Sequence, residues 1–239
     1  MKGNDVSKRA KSIDHMHSYC RVVGCPHPAR AGSENGLDRR FCRKHSDHYG
    51  RHGSPYKSSY RAADLTPHRR KVKAWLKQNA DHAYVSNAIQ RVNGLYERSG
   101  THTEAFRLAG MSPAERARKA WARLRESSAP PLKVIEAWLV VSLAIQADPQ
   151  PVETVEFKRV QAAKLVHRLA SGSHKRWVRQ ANLASGPSEV LTELHKYPHS
   201  RGRVLRELGR DIEEACELAV QLYNSMHNST SPGGVRDRE

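Results

Sequence analysis

Three of the four cysteines in this chain fall between residues 20 and 42, and a histidine follows the third. The pattern is Cys20-x4-Cys25-x16-Cys42-x2-His45. Two pairs of thiolate and imidazole donors on two short turns are how a tetrahedral structural zinc site is assembled, one ligand to each corner. Gly24 precedes Cys25, where a tight turn needs a permissive backbone, and Pro26 stops the segment from extending. Cys42 and His45 fit the first turn of a helix, with Phe41 packed beneath them. Zinc would keep the thiols deprotonated and drive the folding of a segment with almost no core of its own. Four protein ligands leave no position for a reactive water, so the expected role is structural. His27, His48 and His52 are rival ligands. His27 could replace a cysteine, and His48 could share the helix face of His45.

The stretch from Cys20 to Pro55 resembles a small zinc-knuckle module found in many phage and mobile-element proteins. That module runs Cys-x4-Cys, a short basic loop, Cys-x2-His, a basic helix and a closing Arg-x-Gly-x-Pro. Cys20, Cys25, Cys42 and His45 match its ligands, and Arg51, Gly53 and Pro55 match its closing turn. The loop between Cys25 and Cys42 is longer than usual, and Ser46 stands where an aromatic residue is common. The resemblance covers residues 19–57, about a sixth of the chain. It implies a structural zinc ion and contact with nucleic acid, in a family that often accompanies HNH nuclease or helix-turn-helix domains.

The charge supports a polyanionic partner. The 239 residues carry 41 Lys and Arg against 24 Asp and Glu, a formal net charge of +17 with a sequence pI near 10.1. Residues 1–73 supply about two thirds of the excess. Arg39, Arg40, Arg43, Lys44, Arg51, Lys57 and Arg61 surround the knuckle, with Tyr49, Tyr56 and Tyr60 interleaved. Cations beside aromatic rings suit phosphate contact and stacking, although each tyrosine is also suited to packing on the knuckle. A second run contains Arg69, Arg70 and Lys73. Thr66 as cap and Pro67 as the first helical residue would place this run at a helix N-terminus, where bound phosphate relieves the dipole penalty.

These groups need elements to position them. The expected fold is mainly α: the N-terminal knuckle, irregular or a short β-hairpin plus a helix, followed by a body of six to eight helices. Residues 1–18 read as a flexible basic tail, 19–61 as the knuckle module, 62–227 as the helical domain and 228–239 as a disordered tail. Helical spacing predicts helices over 82–98, 103–108, 112–126, 131–147, 152–170, 188–196 and 199–227. Residues 131–147 are apolar nearly all round, fitting a central buried helix or, alternatively, an interface helix. The cluster Lys175, Arg176, Trp177 and Arg179 reads as a loop or short helix, with Trp177 either an anchor in the core, the commoner case, or a stacking platform between cations. The cationic side of 112–126, with Arg116, Arg118, Lys119, Arg123 and Arg125, suits either a contact surface or solvent. Cys216 sits in an apolar stripe and reads as a small core residue.

No run of about 18 apolar residues could cross a membrane. The N-terminal residues lack the apolar core of a secretory signal, so the expected compartment is the cytoplasm of a bacterial or phage-infected cell, where disulfides are rare. The histidines of the body are scattered, without the close His-Asn or Asp-His pairing of an HNH site. The function expected is therefore non-enzymatic: a zinc-stabilised nucleic-acid-binding accessory or regulatory protein, for DNA rather than RNA. The alternatives are a protein-interaction subunit that docks a partner through the helical body, and a divergent HNH-type nuclease.

Overall fold

Ser112 opens a helix in the way its sequence dictates. Its hydroxyl accepts from the Glu115 backbone N–H, and the Glu115 carboxylate accepts from the Ser112 backbone N–H at 2.9 Å. This reciprocal pair satisfies two of the donors that a helix start leaves open. Similar punctuation divides most of the chain. A computed structural model describes residues 19–29, 31–33, 36–149, 154–183, 186–198 and 202–228. The basic segment 1–18 and most of the segment 228–239 lie outside the described residues.

The knuckle contains two short antiparallel strands, β1 (Ala31–Ser33) and β2 (Gly36–Asp38), and helix α1 (Arg43–His52). The body contains α2 (Ala62–Gln78), α3 (Ala83–Arg98), α4 (Pro113–Glu126), α5 (Pro131–Gln146), α6 (Thr154–His167) and α7 (Arg203–Asn228). A single 3-10 turn, Ala105–Arg107, stands in place of the helix expected over 103–108. The mainly helical architecture agrees with the sequence reading. No helix of the described residues is long and apolar enough to cross a membrane.

Helix α5 is the hub of the body. Every residue from Val134 to Ser142 is buried. It packs against α2, α3, α6 and α7, so its apolar sides are covered within the chain and the interface-helix alternative falls. Its one buried carboxylate, Glu136, is matched by Lys133 at 2.7 Å and by Arg69 at 3.6 Å. Helix α7 lays its stripe, including Leu205, Leu208, Ile212 and Cys216, across α3, α4, α5 and α6. Burial pushes the Cys216 thiol up to about 12, as an inert core residue requires. Gly209 admits α6 closely: a Cβ there would stand 2.6 Å from the Arg159 carbonyl.

Two expectations fail at element starts. Helix α2 begins at Ala62, so Thr66 is no cap and Pro67 lies inside the helix. Asp64 accepts the Arg61 backbone N–H at 2.8 Å and Leu65 anchors the first turn in the core, which extends the helix upstream of the proline. Arg69, Arg70 and Lys73 therefore sit in mid-helix, away from the positive end of the dipole. Helix α7 begins at Arg203 rather than His199, after Gly202 in a left-handed conformation.

The larger correction concerns residues 173–196. They form an antiparallel ribbon of β3 (Ser173–Leu183) and β4 (Gly186–Lys196), paired from Ser173↔Lys196 to Leu183↔Gly186. The expected helix over 188–196 does not exist, and Trp177 is 38% exposed on the ribbon instead of buried. At its root the Ala105 backbone N–H donates to Ser173 Oγ, and Lys196 lies over the Phe106 ring.

The knuckle is fastened to the body through the C-terminal end of α1. Gly53 has φ of 77°, and a Cβ there would stand 2.7 Å from the Glu156 carbonyl and 2.9 Å from the Phe157 Cα. Arg206 on α7 donates to the Tyr49 carbonyl at 3.2 Å and pairs with Glu156. Gln161 donates to the His52 carbonyl, and Lys164 to Ser59 Oγ at 2.6 Å. Lys57 pairs with Asp148, which also accepts from the Tyr60 hydroxyl.

Two tests follow from this joint. Gly53→Ala combines a left-handed backbone with a backbone collision and should cost about 2–4 kcal/mol, read from a urea unfolding midpoint. Burial, and then Lys164, lowers His52 to about 4; burial, and then Arg123, lowers His167 to about 3. Both folded values lie below the unfolded value near 6.5, so the unfolded chain binds these protons first. Stability should be full above pH 6.5 and fall as pH drops towards 4. His52→Gln should flatten that decline in melting temperatures measured across the range.

Candidate metal centre

The four residues singled out by spacing come together in space. One donor atom from each of Cys20, Cys25, Cys42 and His45 lies within 4.8 Å of all the others. Cys25 Sγ is 3.8 Å from Cys42 Sγ, and His45 Nδ1 is 3.2 Å from Cys20 Sγ and 3.4 Å from Cys42 Sγ. A disulfide needs about 2.05 Å between sulfurs, so all three are free thiols. The group could hold one metal ion in its midst.

Local backbone explains the convergence. The Cys25 backbone N–H donates to the Val22 carbonyl across a turn that Gly24 makes with φ of 77°. The Cys20 backbone N–H donates to the His27 carbonyl, so the first pair stands on one closed loop. Cys42 is the N-cap of α1, and His45 lies one turn on. The Arg21 backbone N–H donates to the Arg40 carbonyl and ties the two pairs together. Phe41 packs under Cys20 and Cys42, with Tyr49 against it at a ring separation of 5.5 Å.

The electrostatics are uneven. Burial opposes the Cys20 thiolate, but hydrogen bonds from the Cys42 and Val22 backbone and from the neighbouring thiols outweigh it, leaving Cys20 below its ordinary value. Burial raises Cys42, and the thiols of Cys25 and Cys20 add to the rise. Burial, and then Lys44, lowers His45, favouring the neutral imidazole that ligates metal. A cation at the centre would stabilise all three thiolates together.

The rival histidines are engaged elsewhere or stand apart. His48 Nδ1 donates to the Ser54 carbonyl at 2.8 Å. His52 Nδ1 accepts from the Ser59 backbone N–H at 3.1 Å. His27 is exposed and outside the four-donor group.

The cations are sorted less simply. Arg39, Arg40, Arg43, Lys44, Arg51, Arg61, Arg70 and Lys73 are exposed. Lys57 is not: its side chain is 9% exposed and held by Asp148 over the Tyr60 and Phe157 rings, which removes it from the surface set. Arg69 is turned towards Glu136. Arg40 and Arg206 each lie 5.1 Å from the Tyr49 ring centre, so this tyrosine packs within the knuckle. Tyr56 stays exposed. The cationic side of α4 is spent largely on carbonyls. Arg125 donates to those of Tyr96 and Gly100, Arg123 to that of His167 and Lys119 to that of Thr101. Each is at or just past the end of another element, where a helix dipole favours positive charge.

A further exposed surface comes from the ribbon. Alternation along β3 places Lys175, Trp177 and Arg179 on one face, across from Leu194, Thr192 and Val190. That face carries no carboxylate among the residues with described side chains. No protein-family model, curated protein or solved structure matches the chain.

The metal site makes a direct prediction. Elemental analysis of the purified protein should find one divalent ion per chain. Cys25→Ser and Cys42→Ser should lose it, while His27→Ala and His48→Ala should retain it.

Proposed function

We propose that the chain is a zinc-stabilised nucleic-acid-binding protein, with DNA as its partner and an accessory or regulatory role in a phage or other mobile element. The zinc assignment draws on the donor set and its dimensions. Zn–S bonds of about 2.3 Å and Zn–N bonds of about 2.0–2.1 Å at tetrahedral angles put sulfurs about 3.8 Å apart and sulfur about 3.5 Å from nitrogen. The separations of 3.8, 3.4 and 3.2 Å fit that frame. With four protein ligands the ion would order the segment rather than activate water. The genomic setting rests on the resemblance of residues 19–57 alone.

The observation that carries the nucleic-acid reading is the cationic surface beside the metal. Arg39, Arg43, Lys44 and Arg51 are exposed, and none forms an ion pair among the described residues. Asp47 is the one carboxylate on α1. Three of the four cations stand on a short helix pinned between the metal and the body, so presenting them together costs little chain entropy. The ribbon adds to this reading. Two strands of 11 residues span about 35 Å at the usual rise, and a two-stranded ribbon is of a width that the major groove of DNA admits. Its carboxylate-free face offers Lys175 and Arg179 for phosphate and Trp177 for stacking.

A protein partner is the second reading, favoured by the opposite face of the ribbon. Val178 and Leu191 pair there at 57% and 62% exposure, among Arg176, Glu189 and Glu193. Such a mixed apolar and charged face suits a protein surface.

Fluorescence anisotropy with duplex DNA, single-stranded DNA and RNA separates the two. Nucleic-acid binding should weaken steeply with salt, each lost phosphate contact lowering the log–log slope by about 0.9 on duplex DNA. Replacing Arg43, Lys44 and Arg51 by Ala should reduce that slope by about 2–3 while leaving the metal in place. Binding indifferent to salt, or to these three substitutions, sinks the reading.

A further inference from the structure

Three side chains that line one small cavity carry buried nitrogens without a hydrogen-bond partner. Arg116 Nε, Arg123 Nε, Arg123 Nη1 and His167 Nδ1 are four of the seven buried side-chain polar atoms that lack a hydrogen-bond partner among the described residues. All three side chains line a cavity between α4, the end of α6, the start of α7 and the Thr103–Leu108 connection. Lys119 completes its polar lining, and Ala120 and Val204 are among its apolar walls. The cavity volume is about 10 Å³, room for one oxygen-sized atom.

The chemistry of the unfilled positions is one-sided. Three of the four nitrogens belong to guanidinium groups, which can only donate. Arg123 is 5% exposed, and no carboxylate lines the cavity. The existing contacts of Arg123 orient it without neutralising it: Nη2 donates to the His167 carbonyl at 2.7 Å, and the guanidinium lies 5.0 Å from the Tyr197 ring centre. Burial and the charges of Arg123, Arg168 and Arg116 hold the His167 ring neutral. A water molecule could accept from two of these donors but would leave the buried charge unmatched, and an unmatched buried charge is costly. The missing group is an acceptor that carries negative charge.

We propose that this cavity is a phosphate-group site, distinct from the metal centre and its basic flank. One phosphoryl oxygen enters between Arg116 and Arg123, where a guanidinium can hold it in a charge-assisted hydrogen bond. The other oxygens remain at the mouth, where Lys119, anchored at 2.9 Å on the Thr101 carbonyl, supplies further charge. The phosphate could come from the free anion or from the terminal phosphate of a nucleotide chain, and both present the same oxygens.

Thermal melting at constant ionic strength tests the proposal, with sodium chloride replaced stepwise by sodium phosphate. A tenfold excess of phosphate over its dissociation constant should raise Tm by about 3–6 °C, saturably. The double variant Arg116→Gln, Lys119→Gln alters two partly exposed side chains and should fold but lose the shift. An Arg43→Ala, Lys44→Ala variant of the knuckle should keep it, so failure of the nucleic-acid reading leaves this test intact. A 5′-phosphorylated trinucleotide that stabilises where its 5′-hydroxyl twin does not would identify a chain end as the source. Stabilisation by inorganic phosphate with no difference between the trinucleotides would identify the free anion. A cavity that holds only water gives no saturable shift, and that result, or an equal shift in the double variant, overturns the proposal.

Discussion

Segment 19–61 cannot bury enough of itself to fold on apolar packing. Among its described residues the core is Cys20, Phe41 and Cys42, with Val22, Cys25 and Tyr49 packed against them. Two other constraints replace the missing core. One is the convergence of four donor atoms that could share a metal ion, which brings the turn at Gly24 and the start of α1 to a common centre. The other is the backbone contact of Gly53 with α6, reinforced by Arg206, which fixes the far end of α1. The helix is thus held at both termini by groups outside it, and its exposed face is free to carry charge. The same joint aligns Tyr60, Lys57 and Asp148, so the metal segment and the helical body share buried polar contacts.

Arginine is used here largely as a structural cap. Arg206, Arg125 and Arg123 each reach across to the final carbonyls of α1, α3 and α6. Several carbonyls of this kind stay open at every helix end, and a long planar donor can serve two of them at once. Part of the large positive charge is therefore internal wiring. Net charge alone overstates the surface on offer to a polyanion, and Lys57 illustrates the point: it sits in the basic flank by sequence and in a buried ion pair by structure.

The legible features were those with local causes. Ser112 with Glu115 and Pro131 at the start of α5 mark their helices through caps and backbone restriction. The cysteine spacing marks the candidate metal centre because two short turns leave few other ways to gather four donors. Thr66-Pro67 misled because Leu65 and the Asp64 contact lie upstream of the cap signal, and burial of one leucine outweighs one hydrogen bond lost at a proline. The ribbon went unread because alternation of apolar and polar residues is a signature of one buried face. Among the described side chains neither face of this ribbon is buried, and Ala184-Ser185 in the sequence between the strands lacks the Asn-Gly signal of a tight hairpin. The capping of other elements by the α4 cations went unread because a cation that reaches a distant carbonyl leaves the same pattern as one facing water.

The all-round burial of α5 has a consequence for how the chain is made. A helix whose middle, Val134 to Ser142, has no solvent face is finished only when every neighbour has arrived, and α7 ends about 80 residues downstream of it. At roughly 5–20 residues per second, a ribosome needs about 4–16 s to supply that covering. Throughout this interval Val134 to Val141 is the stickiest stretch of the nascent chain. During synthesis, chaperone contact should therefore concentrate on α5 until α7 has been made.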